Sequence, residues 1–220
     1  MRNTRIIFVL PSLELGGAER QALILARYLK QKVGAQVSII GPRGAGRVGV
    51  FCVENEIPWQ EVSMSWPNTH QGRLGHLRQF AASLRSLRPD VLLPYSYYPN
   101  LLCGLIWRIT GAKLCVWNQR DEGRHTRKTY YERIATRLTP AFISNSHHGA
   151  QFLSETFDIP FRKIDVVYNG VSSGSAIWNR TEWRSRLQVS EQCFLACMVA
   201  NLHEFKDHAT LLRAWRIVVD

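Results

Sequence analysis

The strongest constraint on the fold is a regular alternation of short apolar runs with longer segments whose apolar residues recur at helical spacing. The run RIIFVL at residues 5–10 is typical of a strand buried on both faces of a parallel sheet. Ala18, Ala22 and Leu25 then recur at helical spacing, and AQVSIIG at 35–41 is a second apolar run. A strand, a helix and a second strand in this order imply a parallel strand pair.

The alternation continues through five more predicted strands, which we place at 59–64, 90–97, 112–118, 141–146 and 163–169. Helices are predicted between them at 73–89, 100–111, 127–138 and 147–157, the last capped by Ser146. So many alternations predict an α/β fold with a doubly wound, parallel, Rossmann-like sheet.

After residue 172 the alternation begins again, with a predicted helix at 180–187, a buried strand at 192–201 and a helix at 207–220 whose apolar side chains face a core. A single strand and its helices cannot bury their own apolar faces. We therefore expect an N-terminal domain at 1–172 and the beginning of an incomplete second Rossmann-like domain at 173–220, in a chain that is a fragment of a longer protein.

The chain carries an excess of positive charge, with 28 Lys and Arg against 17 Asp and Glu residues and a net charge of +11. This excess attracts anionic partners such as nucleic acids, acidic lipid headgroups or phosphorylated substrates. The sequence has no helix-turn-helix, RNA-recognition or zinc pattern, so we expect no nucleic-acid partner. Arg78 and Arg85 share one flank of their predicted helix, which fits either contact with an anionic membrane or a solvated helix face.

Other features of the composition bear on compartment and cofactors. The apolar runs are far shorter than the roughly 18 residues of a membrane helix, and no signal cleavage site follows the first run, so we expect a cytoplasmic protein. No Asp-x-Asp occurs and the histidines lack ligand spacing, so we expect no metal and no other cofactor. The cysteines are predicted to be buried free thiols: Cys52, Cys103, Cys115, Cys193 and Cys197.

Two sequence matches to known motifs lie in unfavourable contexts. GAGRVG at 44–49 matches the dinucleotide-binding G-x-G-x-x-G, but it follows the second strand, and the valine-rich segment after it is a poor helix former. We predict a solvent-exposed loop rather than a cofactor loop. GVSSG at 170–174 matches the G-x-S-x-G of serine hydrolases, but no helix follows at once, so we predict a linker between domains.

A third glycine motif, GGAER at 16–20, has the favourable context. It follows the first strand and directly opens a helix, where backbone N–H groups and the helix dipole attract an anion. Gly16 and Gly17 lack the Cβ that would keep a bulky ligand away. The residues alone leave two alternatives open, a ligand-binding loop and a flexible turn.

Three motifs in this order resemble the GT-B glycosyltransferases of family 4: GGAER, NGV at 169–171, and VANLHEFKDHATLLRAW at 199–215. The resemblance implies two facing Rossmann-like domains, the first mainly for the acceptor and the second mainly for a nucleotide sugar. It implies a retaining hexosyltransferase that moves a sugar from a nucleotide-sugar donor to a glycan or lipid-linked acceptor. Cell-surface polysaccharide or glycolipid synthesis, at the inner face of the membrane, is the implied setting.

The resemblance also implies roles for single residues. Gly16 and Gly17 would lie near the donor phosphates, and Lys206 would neutralise the leaving diphosphate, with Asn201 standing where many members have arginine. Where this chain has PYSYYPN, many members have a histidine that contacts the donor sugar; here that role is either unfilled or passes to a tyrosine hydroxyl, for which Tyr97 is the candidate. The family's Glu-x7-Glu motif does not occur before Asp220, so we expect activity to require residues beyond it.

The segment after the fifth strand, WNQRDEGRHTRK, supplies the candidates for acceptor binding, because ligands of open α/β sheets bind at the carboxyl ends of the strands. Its polar and basic groups suit a sugar that carries phosphate. We predict acceptor contacts from Asn118, Arg120 and Arg124. Asp121 is a candidate base for an acceptor hydroxyl, and a local pairing with Arg120 or Arg124 is the alternative.

Two competing functions stay open from the sequence. One is a non-catalytic domain that binds an anionic glycan, and the other is an NAD(P)-dependent oxidoreductase that uses GAGRVG at 44–49.

Overall fold

The computed structural model describes residues 2–44, 46–171 and 176–219. The chain divides into two compact units, Met1–Val171 and Ser172–Asp220, one residue before the expected boundary. Residues 172–174 of the G-x-S-x-G match lie outside the described residues. No helix within the described ranges is long and apolar enough to cross a membrane.

The first unit contains one seven-stranded sheet in which all pairs are parallel, in the order β3-β2-β1-β4-β5-β6-β7. The strands are Arg5–Val9 (β1), Gln36–Gly41 (β2), Trp59–Glu61 (β3), Val91–Pro94 (β4), Leu114–Gln119 (β5), Ala141–Ser144 (β6) and Ile164–Val166 (β7). The sheet confirms the predicted doubly wound Rossmann-like fold. The apolar runs form strands here because helices cover the sheet and bury both faces of its central strands.

Six helices of this unit connect the strands: Gly17–Tyr28 (α1), Arg47–Glu54 (α2), His70–Ser86 (α3), Tyr97–Thr110 (α4), Tyr130–Leu138 (α5) and His147–Phe157 (α6). One core cluster joins α1 and α2 to the sheet face that carries Phe8 and Ile39. A second cluster joins α3 and α4 to the opposite face, which carries Ile7 and Val9. Ser146 caps α6 as predicted, since its hydroxyl accepts from the Gly149 N–H at 3.1 Å.

The direction of winding reverses between β1 and β4, which are neighbours in the sheet. The chain leaves β1 toward α1 on one face and leaves β4 toward α4 on the other. The two connections therefore part at the carboxyl edge and open a crevice, where ligands of open α/β sheets bind.

The prediction of a solvent-exposed loop at GAGRVG is wrong for its second half, because α2 begins directly after Gly46 and both Val48 and Gly49 are buried. Burial of Val48 and Cys52 outweighs the rotamer cost of the valines. The glycines are explained by packing: a Cβ on Gly46 would lie 2.2 Å from the Leu13 carbonyl oxygen, and one on Gly49 would lie 2.9 Å from the Trp59 ring. Arg43 and Gly44 are exposed, as predicted for a loop.

The second unit contains two helices in its described residues, Arg180–Arg186 (α7) and His208–Val219 (α8). The predicted buried strand at 192–201 is wrong, because residues 176–219 contain no other strand to accept its hydrogen bonds. Cys193 and Cys197 are consequently exposed, whereas the prediction of buried thiols is confirmed for Cys52, Cys103 and Cys115.

The apolar side of α8 also differs from its prediction. We expected Leu211, Leu212, Trp215 and Val218 to face a core, but Leu211, Leu212 and Val218 are exposed. Within residues 176–219, Trp215 stacks on Phe194 at 5.8 Å between ring centroids, and the described residues supply no larger apolar layer.

Replacing Gly46 with Ala tests the packing role of the second glycine loop. The added Cβ meets backbone rather than a flexible side chain, so we expect Gly46→Ala to lower the free energy of unfolding by roughly 1–3 kcal/mol. Urea denaturation measures this change. Gly75→Ala is the matched control: Gly75 lies inside α3 with nothing within 4 Å of its Cβ position, so this change should stabilise the protein by about 0.5–1 kcal/mol. Equal effects of the two substitutions would contradict the packing role.

Candidate functional site

Four segments meet at the carboxyl edge of the sheet, and each follows a strand that ends there. They are the loop after β1 that contains Gly16, the turn after β4 at Ser96, the loop after β5 that begins at Arg120, and the segment after β7 that contains Asn169. Ser96 has φ 67° and ψ 175°, a region that residues with side chains seldom occupy. This strained turn reverses the chain directly into α4 beside the crevice.

The N-terminus of α1 holds a carboxylate of its own chain. Gly16 is the N-cap and offers no side chain; its N–H donates to the Glu14 carbonyl at 3.2 Å, and the Glu19 carboxylate lies directly beside this residue. Burial raises the pKa of Glu19, and the nearby backbone N–H groups of Glu19 and Gly16 oppose the rise. A carboxylate of the chain itself therefore occupies the space beside the N-cap.

The two glycines of GGAER have different surroundings. A Cβ on Gly16 would lie 2.5 Å from Glu19 Oε2, so the Glu19 contact requires glycine at this position. A Cβ on Gly17 would meet nothing within 4 Å, and its φ lies outside the left-handed region. Neither packing nor backbone conformation requires glycine at residue 17, and the space beside it is open to a ligand.

The segment after β7 is fastened to α1 by a pair of amide hydrogen bonds. Gln21 Nε2 donates to the Gly170 carbonyl at 2.8 Å, and the Gly170 N–H donates to Gln21 Oε1 at 2.9 Å. Arg120 donates to Asn169 Oδ1 at 2.8 Å, and its guanidinium lies 5.1 Å from the Tyr95 ring centroid. The helix opened by GGAER and the NGV segment, separated by 149 residues, are thus in contact.

A cavity of about 910 Å³ opens between the loops after β1, β3, β4 and β5. Its wall combines aromatic rings with basic groups: Pro11, Trp66, Asn68, Arg73, Ser96, Tyr97, Tyr98, Leu101, Asp121, His125, Arg127, Thr129, Tyr130 and Tyr131. Residues from the loop after β1 and the turn after β4 place it at the reversal of strand order. Its size and mixed lining suit a saccharide-sized ligand.

Tyr97 and Tyr98 bring two hydroxyl groups to this cavity. The Tyr97 hydroxyl donates to the carboxylate of buried Glu132. Burial raises the pKa of Tyr97, and the Glu132 carboxylate raises it further by a smaller amount. The Tyr97 hydroxyl therefore keeps its proton at neutral pH. Burial raises the pKa of Tyr98 to about 12. The Tyr98 hydroxyl is buried and has no hydrogen-bond partner among the described residues. An orphaned donor of this kind is costly unless a ligand or water satisfies it.

Asp121 lines the cavity, but one of its oxygens is already occupied. Asp121 Oδ1 accepts from the Gly123 N–H at 2.7 Å, the Arg124 N–H at 3.3 Å and Gln119 Nε2 at 3.2 Å. The local partners are backbone and amide N–H groups. The Arg120 guanidinium instead contacts Asn169 and Tyr95. The role of Asp121 as a base stays a prediction.

The structure separates the residues that we predicted for the acceptor. Asn118 and Arg120 line a second cavity of about 300 Å³, which shares no lining residue with the larger one. Asn118 is only 4% exposed and its amide donates to the Val116 carbonyl, while its backbone is paired with Asn100. Arg124 lies in the loop after β5, whose members Asp121 and His125 line the larger cavity.

Sequence reasoning missed much of the large cavity, including Trp66, Arg73, Tyr98 and Tyr131. Trp66 and Arg73 come from the segment after β3, and their partner Tyr131 lies on α5. The sequence did offer one indication of Trp66 and Arg73: the segment after the third predicted strand also starts at the carboxyl edge of the sheet, where ligands bind.

Asn201 and Lys206 belong to the second unit. Lys206 ends a 3₁₀ turn, Glu204–Lys206, and its side chain is exposed. Asp207 Oδ1 accepts from the Thr210 N–H at 3.1 Å, so Asp207 caps α8; its interaction with the Thr210 side chain and, after it, this backbone hydrogen bond lower the pKa of Asp207. The Asn201 carbonyl accepts from the His208 ring at 3.0 Å. A cation and the start of a helix are therefore adjacent.

Comparison with known proteins gives the family. The model of Glycosyltransferase Family 4 matches residues 15–174, which is most of the chain. The chain therefore belongs to glycosyltransferase family 4, as the resemblance indicated. No curated protein matches the sequence.

Solved structures share the fold. A glycosyltransferase from Rickettsia africae ESF-5 has 20% identity and a TM-score of 0.74, over 99% of this chain and 58% of that chain. Anabaena Alr3699/HepE, solved with UDP and glucose, has 18% identity and a TM-score of 0.61, over 84% of this chain and 50% of that one. The lipopolysaccharide outer core galactosyltransferase WaaB has 16% identity and a TM-score of 0.58, over 79% of this chain and 48% of that one. This chain thus spans about half the length of the solved structures that it matches, and they show the GT-B fold.

The buried Glu19 carboxylate generates a prediction about pH. The native state holds the Glu19 proton more tightly than the unfolded chain does, so the stability due to this group is present at low pH. That stability is lost as the pH rises from 4.5 through the raised native pKa. Urea denaturation across this pH range should show that the free energy of unfolding of the wild type declines as the pH rises. The Glu19→Gln variant should lack this contribution to the decline. Parallel pH profiles for the two proteins would contradict the burial of a titrating carboxyl.

Proposed function

We propose that the protein takes part in transfer of a hexosyl group from a nucleotide-sugar donor to a glycan or lipid-linked acceptor, with retention at the anomeric carbon. The membership in family 4 supports the reaction class. The observation that carries the proposal is the open space beside Gly17, at the first residue of α1 and at the carboxyl edge of the sheet. Glycine at the first residue of a helix lets a ligand approach the backbone N–H groups closely.

The donor diphosphate is the group that we assign to this place. The N-terminus of a helix attracts anions through its N–H groups and its dipole. HepE was solved in complex with UDP and glucose, which supports a nucleotide sugar as donor. In this chain the Glu19 carboxylate lies beside Gly16, so a bound diphosphate would compete with Glu19 or require its protonation.

The reaction breaks the bond between the anomeric carbon and the diphosphate oxygen and forms one between that carbon and an acceptor hydroxyl oxygen. The hydroxyl loses its proton, and negative charge grows on the leaving diphosphate. Fixed cations and oriented N–H groups lower the energy of that charge. In the first unit we assign this work to Gly16 and Gly17; in the second unit the candidates are Asn201 and Lys206, which precedes α8.

We propose that no metal ion takes part. Metal-dependent sugar transferases hold their ion with an Asp-x-Asp pair, and this chain has none. Lys206 and the start of α1 would supply the positive charge instead.

We propose the large cavity as the acceptor site. Its aromatic rings suit the apolar face of a sugar, and Arg127 and His125 suit an anionic substituent such as phosphate. The Tyr97 hydroxyl donates its hydrogen bond to Glu132, so its oxygen can accept a hydrogen bond from a sugar hydroxyl, while Asp121 is the candidate base. Arg124 lies in the loop beside this site, and Asn118 and Arg120 line the smaller cavity next to it. We propose that these three residues make secondary contacts to the acceptor rather than form the main site.

The cellular setting follows from the acceptor. A lipid-linked acceptor for a cell-surface polysaccharide or glycolipid requires the enzyme to work at a membrane, and we propose a peripheral location at the cytoplasmic face.

The Gly17→Ala variant tests the donor site. Its Cβ enters open space in the free protein, so stability should be unchanged or higher by up to about 1 kcal/mol, whereas UDP binding should weaken about tenfold or more because the methyl group occupies the ligand's space. An NMR titration with UDP measures dissociation constants into the millimolar range. Gly75→Ala, also at an unobstructed helical position, is the control and should leave UDP binding unchanged.

Two results would contradict the proposal. One is an unchanged UDP affinity in Gly17→Ala, and the other is tight binding of NAD that Gly46→Val abolishes. An anionic glycan that binds while UDP does not would favour the non-catalytic binding domain.

A further inference from the structure

The segment that follows β3 reaches the large cavity through Trp66, and two side chains of α3 hold this segment in place. Arg73 Nε donates to the carbonyl of Pro67, directly after Trp66, at 2.7 Å. Directly before Trp66, the Ser65 N–H donates to His76 Nε2 at 3.0 Å. Residues three apart share one face of a helix. One face of α3 therefore fixes the chain on both sides of the Trp66 ring, which lines the cavity.

His76 contacts Ser65 through both ring nitrogens, and the two contacts together require one form of the ring. Nε2 accepts from the Ser65 N–H and so carries no proton, while Nδ1 lies 3.3 Å from Ser65 Oγ. A neutral imidazole with its proton on Nδ1 satisfies both contacts. In an imidazolium the Nε2–H would point at the Ser65 N–H, donor against donor. The contact with Ser65 is therefore specific to neutral His76.

Burial keeps this ring neutral. His76 is 8% exposed and stacks on Phe80, which belongs to the core cluster that joins α3 and α4 to the sheet. Burial lowers the pKa of His76 from 6.5, because the interior disfavours the charged ring. The native state therefore takes up this proton less readily than the unfolded chain. The stability due to neutral His76 is present above pH 6.5 and is lost as the pH falls through the lowered native pKa.

The charged groups on the elements around α3 leave burial as the cause of this shift. The carboxylates there are exposed or accept hydrogen bonds elsewhere: Glu61 from Gly44, Asp121 from Gly123, Glu132 from Thr129, and the exposed Glu122. The other titratable or charged groups near the first half of α3 are cations, phenols and a second imidazole: His70, Arg73, Arg78, Tyr98 and Tyr131. No carboxylate contributes to the pKa shift of His76.

We propose that His76 is a positioning residue of the large cavity: its neutral ring holds Ser65 and so keeps the Trp66 ring in the wall, and a proton on Nε2 releases both. The Trp66 ring centroid lies 5.1 Å from that of Tyr131 and 5.4 Å from the Arg73 guanidinium. Release of Ser65 would loosen this aromatic wall, against which the apolar face of a sugar can pack. Weaker acceptor binding at acidic pH is a consequence that rests on the proposed function, while the His76 contact itself does not.

A pH titration of the full chain by NMR tests the positioning role without any ligand. The ring nitrogens of His76 report its protonation, and the NOE between the Trp66 and Tyr131 rings, assigned with Trp66→Phe, reports the cavity wall. As the pH falls from about 8, the NOE should be lost with the midpoint at which His76 titrates, below pH 6.5. Protection of the Ser65 N–H from hydrogen exchange should fall about tenfold or more over the same range.

Two variants of His76 separate positioning from a general effect of acid. His76→Gln places an amide oxygen near the position of Nε2, where it can accept from the Ser65 N–H without titrating, so the NOE should persist at every pH. His76→Leu offers no acceptor and should lose the NOE at every pH. His148→Gln is the matched control, because His148 is exposed on α6, and it should titrate like the wild type.

The wild-type titration requires no variant to fold. An NOE that persists after His76 has taken up its proton would overturn the proposal, as would a His76 ring that stays neutral until the protein unfolds. It would also be overturned by an NOE that His76→Leu retains, or that His76→Gln loses at the wild-type midpoint. UDP binding by Gly17→Ala is measured separately at a pH where His76 is neutral, so failure of the positioning role and failure of the proposed function give different results.

Discussion

The parallel pairing of β1 with β4 is the constraint on which the rest of the first unit depends. It joins two halves of the sheet that wind in opposite directions, so the loops that leave these two strands diverge. The crevice between them cannot be filled by either connection. GGAER begins α1 on one side of it and the strained Ser96 turn begins α4 on the other. The large cavity lies there as a consequence of topology, before any particular side chain is considered.

The glycines of the two loops show how packing and ligand access can be told apart. Gly46 admits close contact with the Leu13 carbonyl, and Gly16 admits the Glu19 carboxylate, so both serve the protein's own contacts. Gly17 has no such role, because nothing lies within 4 Å of the position that its Cβ would take. The loop with the closer match to a dinucleotide motif is therefore the one whose glycines are explained by the fold. Glu19 adds a further element, because under the proposed function a donor phosphate at the start of α1 would compete with this carboxylate.

Sequence reasoning predicted the features that depend on neighbours along the chain. Apolar periodicity gave the order of strands and helices, and strand context distinguished GGAER from GAGRVG. It failed where contacts between distant segments decide the outcome. The valines after Gly46 form a helix because Val48 is buried against the core, and the segment 192–201 forms no strand because residues 176–219 contain no strand that could pair with it. In the cavity wall the ring centroids of Trp66 and Tyr131 lie 5.1 Å apart. These two residues are far apart in the sequence, so no local sequence pattern could predict their contact. Asn118 was polar at the right strand end, but its amide is used within the fold.

The central claim is that a nucleoside diphosphate binds at the reversal of strand order, beside the start of α1. Hydrogen–deuterium exchange of the chain with saturating UDP tests this most directly, because bound N–H groups exchange more slowly. The account predicts protection in peptides that cover Leu15–Leu23, with no change over Gly41–Phe51. Protection confined to Gly41–Phe51, or UDP binding with no protection at Leu15–Leu23, would contradict it.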